Sequence, residues 1–242
     1  MNTKQNVPCR AMILAAGLGT RLRPITYTIP KALVKTNGRT LLEGAIRHLA
    51  DYGVKEIIIN VHHFADKIIS YLDQNKNFGL DISISDESDH LLDTGGGLKK
   101  VSGFFTDGRP FFVRNVDIIS DLNLRHIMEY HIQSQAIATV VVRKRETSRY
   151  FLFDHDHRLC GWTNLRTGER ILSFEPSGDP GMLAFSGIQV LNPEIFSLIT
   201  ENGKFSLTSL YIRLAKYHLI KGYLDTESIW KDAGSLTGES VQ

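Results

Sequence analysis

"MILAAGLGTRLRPITYTIPKAL", residues 12–33, decides how this chain is read. A short apolar run ending in small residues reads as a buried strand feeding a tight turn. In that turn "GLGT" leaves backbone N–H groups unshielded by side chains, which is how a chain binds phosphate. It is neither of the two commonest phosphate loops. A dinucleotide fingerprint needs a third glycine where Leu22 stands, and a Walker loop needs Gly-Lys-Ser/Thr. Gly17 and Gly19 let the backbone approach a triphosphate, and Arg21 faces its oxygens as a planar fork. Pro24 and Pro30 stiffen the excursion that follows, so Lys31 is presented at a defined place.

Outward from this stretch, strand and helix signals alternate. Apolar runs near 10–15, 56–60, 80–84, 110–116 and 136–142 read as strands, with helical periodicities near 40–52, 64–75, 95–104 and 123–134. Leu41, Leu42, Ala45, Ile46, Leu49 and Ala50 share one helical face, with Thr40 as the cap. The alternation predicts an α/β, doubly wound, mostly parallel sheet, which binds ligands beyond the carboxyl ends of its strands. After about residue 143 the pattern turns β-rich: a hairpin across "RYFLFDHDHRLCGW", then "RILSF" and "GMLAFSGIQVL" as further short strands. Short helices are expected after Pro193 and over about 206–217, and "HLIKGYL" and "SIWKDAG" follow. There is no internal repeat.

The bulk numbers restrict the partners. With 242 residues, 42% of them apolar, the chain is long enough for one sizeable core. No apolar run reaches the ~18 residues of a membrane span and no signal-peptide core is seen, so a cytoplasmic protein is expected. Cys9 and Cys160 are far apart and read as free thiols. A net charge of +2 is too small for a nucleic-acid footprint. Its distribution says more: residues 1–42 hold seven basic groups and no acid, against 21 basic and 26 acidic groups in the rest. That points to a small polyanion at the N-terminal segment.

Further along, Asp117 closes the apolar strand "PFFVRNVD", where a carboxylate can hold Mg²⁺ against phosphates. Asp121 is its local rival. The run Thr94–Gly97 opens a helix, with Thr94 able to cap it and bare glycines leaving room for a flat base. "DHDH" at 154–157 is a hairpin tip rather than a metal site, His62 and His63 offer no better one, and "RKRE" at 143–146 reads as a solvated strand end.

Taken together, "LAAGLGTRLRPIT…IPKAL" resembles the signature of the sugar-1-phosphate nucleotidyltransferases. "DTGGGL" at 93–98, "RNVDIISD" at 114–121, "FSGIQVL" at 185–191 and "WKDAGS" at 230–235 match later blocks of that family in order. The pattern looks most like the short uridylyltransferases of N-acetylmuramate 1-phosphate, and mannose-1-phosphate guanylyltransferases share much of it. The resemblance implies a Rossmann-like three-layer fold in a single domain over 1–242, with a nucleotide-binding half to about 143 and a sugar-binding half from about 144. It implies a nucleoside triphosphate, UTP or GTP, held by Leu14, Ala15, Ala16, Gly17, Gly19, Thr20, Arg21 and Lys31, with Thr94 and Gly95 at the base. Asn115, Glu175 and Gly187 fall to the sugar, and Asp117 and Asp232 to Mg²⁺. Arg21, Lys31 and Asp117 are the implied catalytic set.

Three departures stand out. Val116 replaces the glycine many relatives carry before the metal aspartate, and a β-branched side chain there would fill room for the sugar ring. Ala32 follows the Pro-Lys pair where a second proline is common. In larger relatives a Glu-Lys-Pro block supplies a lysine to the sugar phosphate, but "SFEPSG" offers Glu175 and Pro176 alone; Arg114, beside Asp117, is the candidate replacement. A catalytically silent nucleotide-binding regulator is the rival of another class. Val116 favours it, while Lys31, Asp117 and Asp232 oppose it.

Overall fold

The computed structural model describes residues 10–235. Among them fourteen strands run in order: β1 (Arg10–Leu14), β2 (Lys35–Thr36), β3 (Arg39–Thr40), β4 (Glu56–Val61), β5 (Asp81–Asp86), β6 (Phe111–Asn115), β7 (Ile118–Ser120), β8 (Ala138–Arg143), β9 (Arg149–Phe153), β10 (Leu159–Asn164), β11 (Glu169–Leu172), β12 (Gly181–Leu191), β13 (Ile220–Leu224) and β14 (Trp230–Asp232). The α-helices are α1 (Leu41–Asp51), α2 (Ala65–Gln74), α3 (Asp93–Lys100), α4 (Leu124–Ser134) and α5 (Leu207–Leu214).

Ten strands form one mixed sheet. Its path is β11-β10-β9-β12-β6-β1-β4-β5, with β8 also beside β12 and β13 beside β8. The β6-β1-β4-β5 portion is parallel. β12 is antiparallel to β6, β8 and β9. It is one strand of eleven residues, the whole of the "GMLAFSGIQVL" run, because it serves two parts of the sheet. Its first residues pair with β9 and its last with β6 and β8, and the register shifts between Phe185 and Gln189. Gly187 lies inside that bulge at φ 78°, a left-handed conformation that glycine adopts without strain.

The layers follow from period-2 alternation. Ala11 and Ile13 join one core cluster while Met12 and Leu14 join the other, and Ile57 and Ile59 lie opposite Ile58. The first cluster gathers Leu42, Ile46 and Leu49 of α1, Ile68 of α2 and Ile127 of α4. The second gathers Leu98 of α3 and Leu210 and Leu214 of α5. The sheet is thus covered on both faces, and its parallel strands all end at one edge.

Caps fix where helices start. Thr40 accepts from Glu43 N at 3.0 Å, Asn123 from Arg125 N at 3.0 Å and Ser206 from Ser209 N at 3.1 Å. Between β1 and β2 no α-helix forms; three 3₁₀ turns (Thr20–Leu22, Ile25–Tyr27 and Lys31–Leu33) carry the chain around the end of the sheet. Among the described residues no helix is long and apolar enough to cross a membrane. Cys9 lies outside the described residues, while Cys160 is buried and free.

Candidate active site

The glycine loop leaves β1 at the carboxyl edge of the sheet. Its first amide is held by a buried network: Ala15 N donates to Asn60 Oδ1 at 2.8 Å, and Asn60 Nδ2 to Glu87 Oε1 at 2.8 Å. Glu87, 2% exposed, also accepts from Leu92 N at 3.1 Å. Asn60 and Glu87 escaped the sequence reading because a lone amide and a lone acid carry no spacing signal. At Gly19 the chain turns left-handed, φ 66°. An added Cβ there would come 2.9 Å from Thr26 Cγ2 and 3.0 Å from Lys31 Cβ. The missing side chain is therefore what allows Lys31 to fold in beneath the loop.

Lys31, in turn, ion-pairs with Asp117, both side chains being largely buried. Asp232 lies far away in sequence, but β14 pairs antiparallel with β7, placing Asp232 opposite Ile118. Ala233 N also donates to the Asp117 carbonyl at 2.9 Å. The two carboxylates are thereby fixed side by side. Arg21 spans them, 2.8 Å from Asp232 Oδ2 and 3.7 Å from Asp117 Oδ2. The hydrogen bond to Asp232 holds the Arg21 guanidinium above its ordinary pKa, with burial opposing. Two adjacent carboxylates already sharing a cation suit Mg²⁺, which takes one or two carboxylates and completes its shell with phosphates and water.

A cleft of about 470 Å³ runs under the glycine loop, lined by Leu14 through Arg21, Lys31, Asn60, Glu87, Thr94, Asn115 and Asp117 among others. Beyond Asp117 a second cavity of about 270 Å³ is lined by Arg145, Phe151, Trp162, Phe185, Gly187 and Trp230. Arg21, Asn115 and Asp117 border both. The charged cluster sits on the seam between them. Leu14, Ala15, Ala16, Gly17, Gly19, Thr20, Arg21, Lys31 and Thr94 all line the first cleft, and Asn115, Gly187 and Asp232 the second.

Other expectations are corrected. The glycines after Thr94 face inward: a Cβ on Gly95 would run into the Phe205 ring, and its N–H donates to Phe205 O at 2.9 Å. These glycines serve helix packing, and Gly95 does not line the cleft. Thr94 does not cap its own helix, whose first residue is Asp93; Thr94 Oγ1 accepts from Leu207 N at 2.9 Å, at the start of α5. Glu175 is exposed and lines neither cavity. Ser173 Oγ donates to Ile212 O at 2.6 Å, and Phe174 lies under Arg158, which anchors the segment elsewhere. Arg114 is not a sugar-phosphate group. It is 2% exposed on the opposite face of β6, donating to Ile118 O and bonded to His48 Nδ1 at 2.7 Å. Val116 packs into the first core cluster and borders the nucleotide-side cleft, not the second cavity.

"RKRE" is not a solvated end either. Alternation carries Lys144 and Glu146 outward and turns Arg143 and Arg145 inward. Arg143 pairs with Asp225 at 3.7 Å, and Arg145 lies on the Trp230 ring, 4.6 Å from its centroid. The period-2 pattern of "ATVVVRKRE" was the available signal. "DHDH" is a turn closed by Asp154, which accepts from Asp156 N and Arg158 N, and no metal-binding cluster of three such groups occurs among the described residues.

Similarity to known proteins runs along most of the chain. The chain is 34% identical over 235 residues to an N-acetylmuramate alpha-1-phosphate uridylyltransferase of Caulobacter vibrioides, covering 94% of this chain and 92% of that one. It is 31% identical over 228 residues to mannose-1-phosphate guanyltransferase 2 of Candida glabrata, of which it spans 61%. The crystal structure of HddC from Yersinia pseudotuberculosis complexed with GMP-PN superposes with a TM-score of 0.74 over 94% of each chain at 23% identity, a likeness of fold. The nucleotidyl transferase family model matches residues 10–238, and the chain belongs to that family.

Proposed function

We propose that the chain transfers a nucleotidyl group from a nucleoside triphosphate to a sugar 1-phosphate, with Mg²⁺ and release of pyrophosphate. One observation carries this reading: Arg21, Lys31, Asp117 and Asp232 meet on the seam between a cleft floored by the glycine loop and a cavity walled by aromatic rings. A triphosphate fits the first. A pyranose fits the second.

In this reading an oxygen of the sugar phosphate attacks the α-phosphorus in line. The bond from that phosphorus to the bridging oxygen breaks, and its electron pair leaves with pyrophosphate. No general base is needed, because a phosphate monoester, with a second pKa near 6, is largely dianionic at pH 7. Catalysis rests on alignment and charge. Lys31 exchanges its bond to Asp117 for one to the α-phosphate. Arg21, released from the two carboxylates, holds the leaving phosphates together with the loop amides. Asp117 and Asp232 would hold Mg²⁺, which would supply Lewis-acid polarisation of the phosphoryl oxygens. Asn115, on the border of both cavities, orients the sugar.

The substrate pair favoured is UTP with an amino-sugar 1-phosphate such as N-acetylmuramate 1-phosphate, supported by the similarity spanning nearly the whole of the Caulobacter protein. GTP with mannose 1-phosphate is the alternative, supported by the Candida protein. A nucleoside triphosphate donor favours a cytoplasmic protein. Pyrophosphate release from four nucleoside triphosphates against a set of sugar 1-phosphates tests the reading. Turnover is expected with one pair, and nucleotide binding with no turnover for any pair would favour a regulator.

A further inference from the structure

Arg145 is a half-buried cation with no carboxylate bonded to it among the described residues. Its buried-side neighbours are served, Arg143 by Asp225 and Arg21 by Asp232 and Asp117, while Arg149, which lines the same cavity, is exposed to solvent. Arg145 has only the Phe185 carbonyl at 3.1 Å, the Glu146 carbonyl at 3.5 Å and the Trp230 face, while its Nε is buried without a partner. Trp230 is itself fixed, donating from Nε1 to Ser186 O at 2.9 Å. Burial, with Arg143 and Arg21 nearby, draws the Arg145 pKa down, and Asp232 opposes this. A guanidinium set beside two others, with no carboxylate bonded to it, is arranged for an anion that arrives with a ligand.

Which anion is a matter of place. Arg145 lines the aromatic-walled cavity and not the cleft under the glycine loop. We propose that Arg145 binds the phosphate of the incoming sugar 1-phosphate, holding it against Asp117 and Asp232 for attack. This rests on the reading of the chain as a sugar-1-phosphate nucleotidyltransferase. It also answers the lysine missing from "SFEPSG": the charge comes from the segment that continues β8.

The test uses Arg145→Met, which keeps the stem over Trp230, and Arg145→Lys, which keeps the charge. Losing a charge-assisted hydrogen bond corresponds to about 10- to 100-fold. In Arg145→Met the KM for sugar phosphate is expected to rise by that factor, with the KM for the nucleoside triphosphate unchanged. Arg145→Lys should recover part of the loss. Calorimetric titration with N-acetylmuramate 1-phosphate and with mannose 1-phosphate reads the same contact without turnover. An unchanged affinity for the sugar phosphate overturns the proposal. So does a shift confined to the triphosphate, or to pyrophosphate in the reverse reaction, which would assign Arg145 to the leaving group. Wild-type protein that binds a sugar phosphate through Arg145 yet releases no pyrophosphate would instead sink the reading of the reaction and leave this one standing.

Discussion

Lys31 and Asp117 hold one another, and Arg21 closes the same cluster over Asp232. Each cation occupies the carboxylate that Mg²⁺ would take. Asp117→Asn should therefore lower kcat by about 10²–10³, and because it strands the largely buried Lys31 ammonium it should lower the melting temperature as well. Near-normal kcat at saturating Mg²⁺ would reject the role. Gly234 gives a subtler test. A Cβ there would lie 2.6 Å from the guanidinium carbon of Arg21, so Gly234→Ala should displace Arg21 and raise the KM for the triphosphate several-fold. Steady-state kinetics in the triphosphate checks it. At this scale the chain was legible where a motif is local, as from Gly17 to Lys31. It was not legible where partners come from distant strands, as with Asp117 and Asp232, or Asn60 and Glu87. Arg114 misled because adjacency in sequence on a strand means opposite faces in space.

Helix α3 illustrates the element scale. Its glycines look like open backbone in the sequence, yet their Cβ positions are occupied by Phe205, the Gly203 carbonyl and Glu87. Gly95→Ala should destabilise the protein by about 1–3 kcal/mol through overpacking, read by urea denaturation. An unchanged midpoint with weakened base binding would restore the ligand-facing reading. The alternation of strands and helices up to about residue 143 was readable because period and caps are local properties. The hairpin β2–β3 and the short strands β7 and β14 were not, since strands of two or three residues exist only through their partners. The extent of β12 was legible, since "GMLAFSGIQVL" is the whole of Gly181–Leu191, but the bulge at Gly187 was not, because it exists only through the partners β8 and β9.

Across the whole molecule, two histidines couple stability to pH. Burial, with Arg114 beside it, lowers the His48 pKa to about 4, and burial lowers that of His131 to about 4. Both are neutral in the folded chain at pH 6, whereas the unfolded chain titrates near 6.5 and binds the extra protons. Stability should be full above about pH 6.5 and fall as pH drops toward 4, by order of 2–3 kcal/mol per buried imidazole at most. Melting temperature against pH measures this, and His131→Phe should flatten the slope. A flat profile in the parent would show that these rings are not held neutral. The fold itself exists to bring a loop from one end of the chain and a β-ladder near the other to a single seam. The most direct test of that claim is a crystal structure with a non-hydrolysable nucleoside triphosphate and Mg²⁺. The expected result is a phosphate tail against Gly17 to Arg21, with Lys31 Nζ within about 3 Å of an α-phosphate oxygen. A tail bound elsewhere, with Lys31 still on Asp117, would contradict the account.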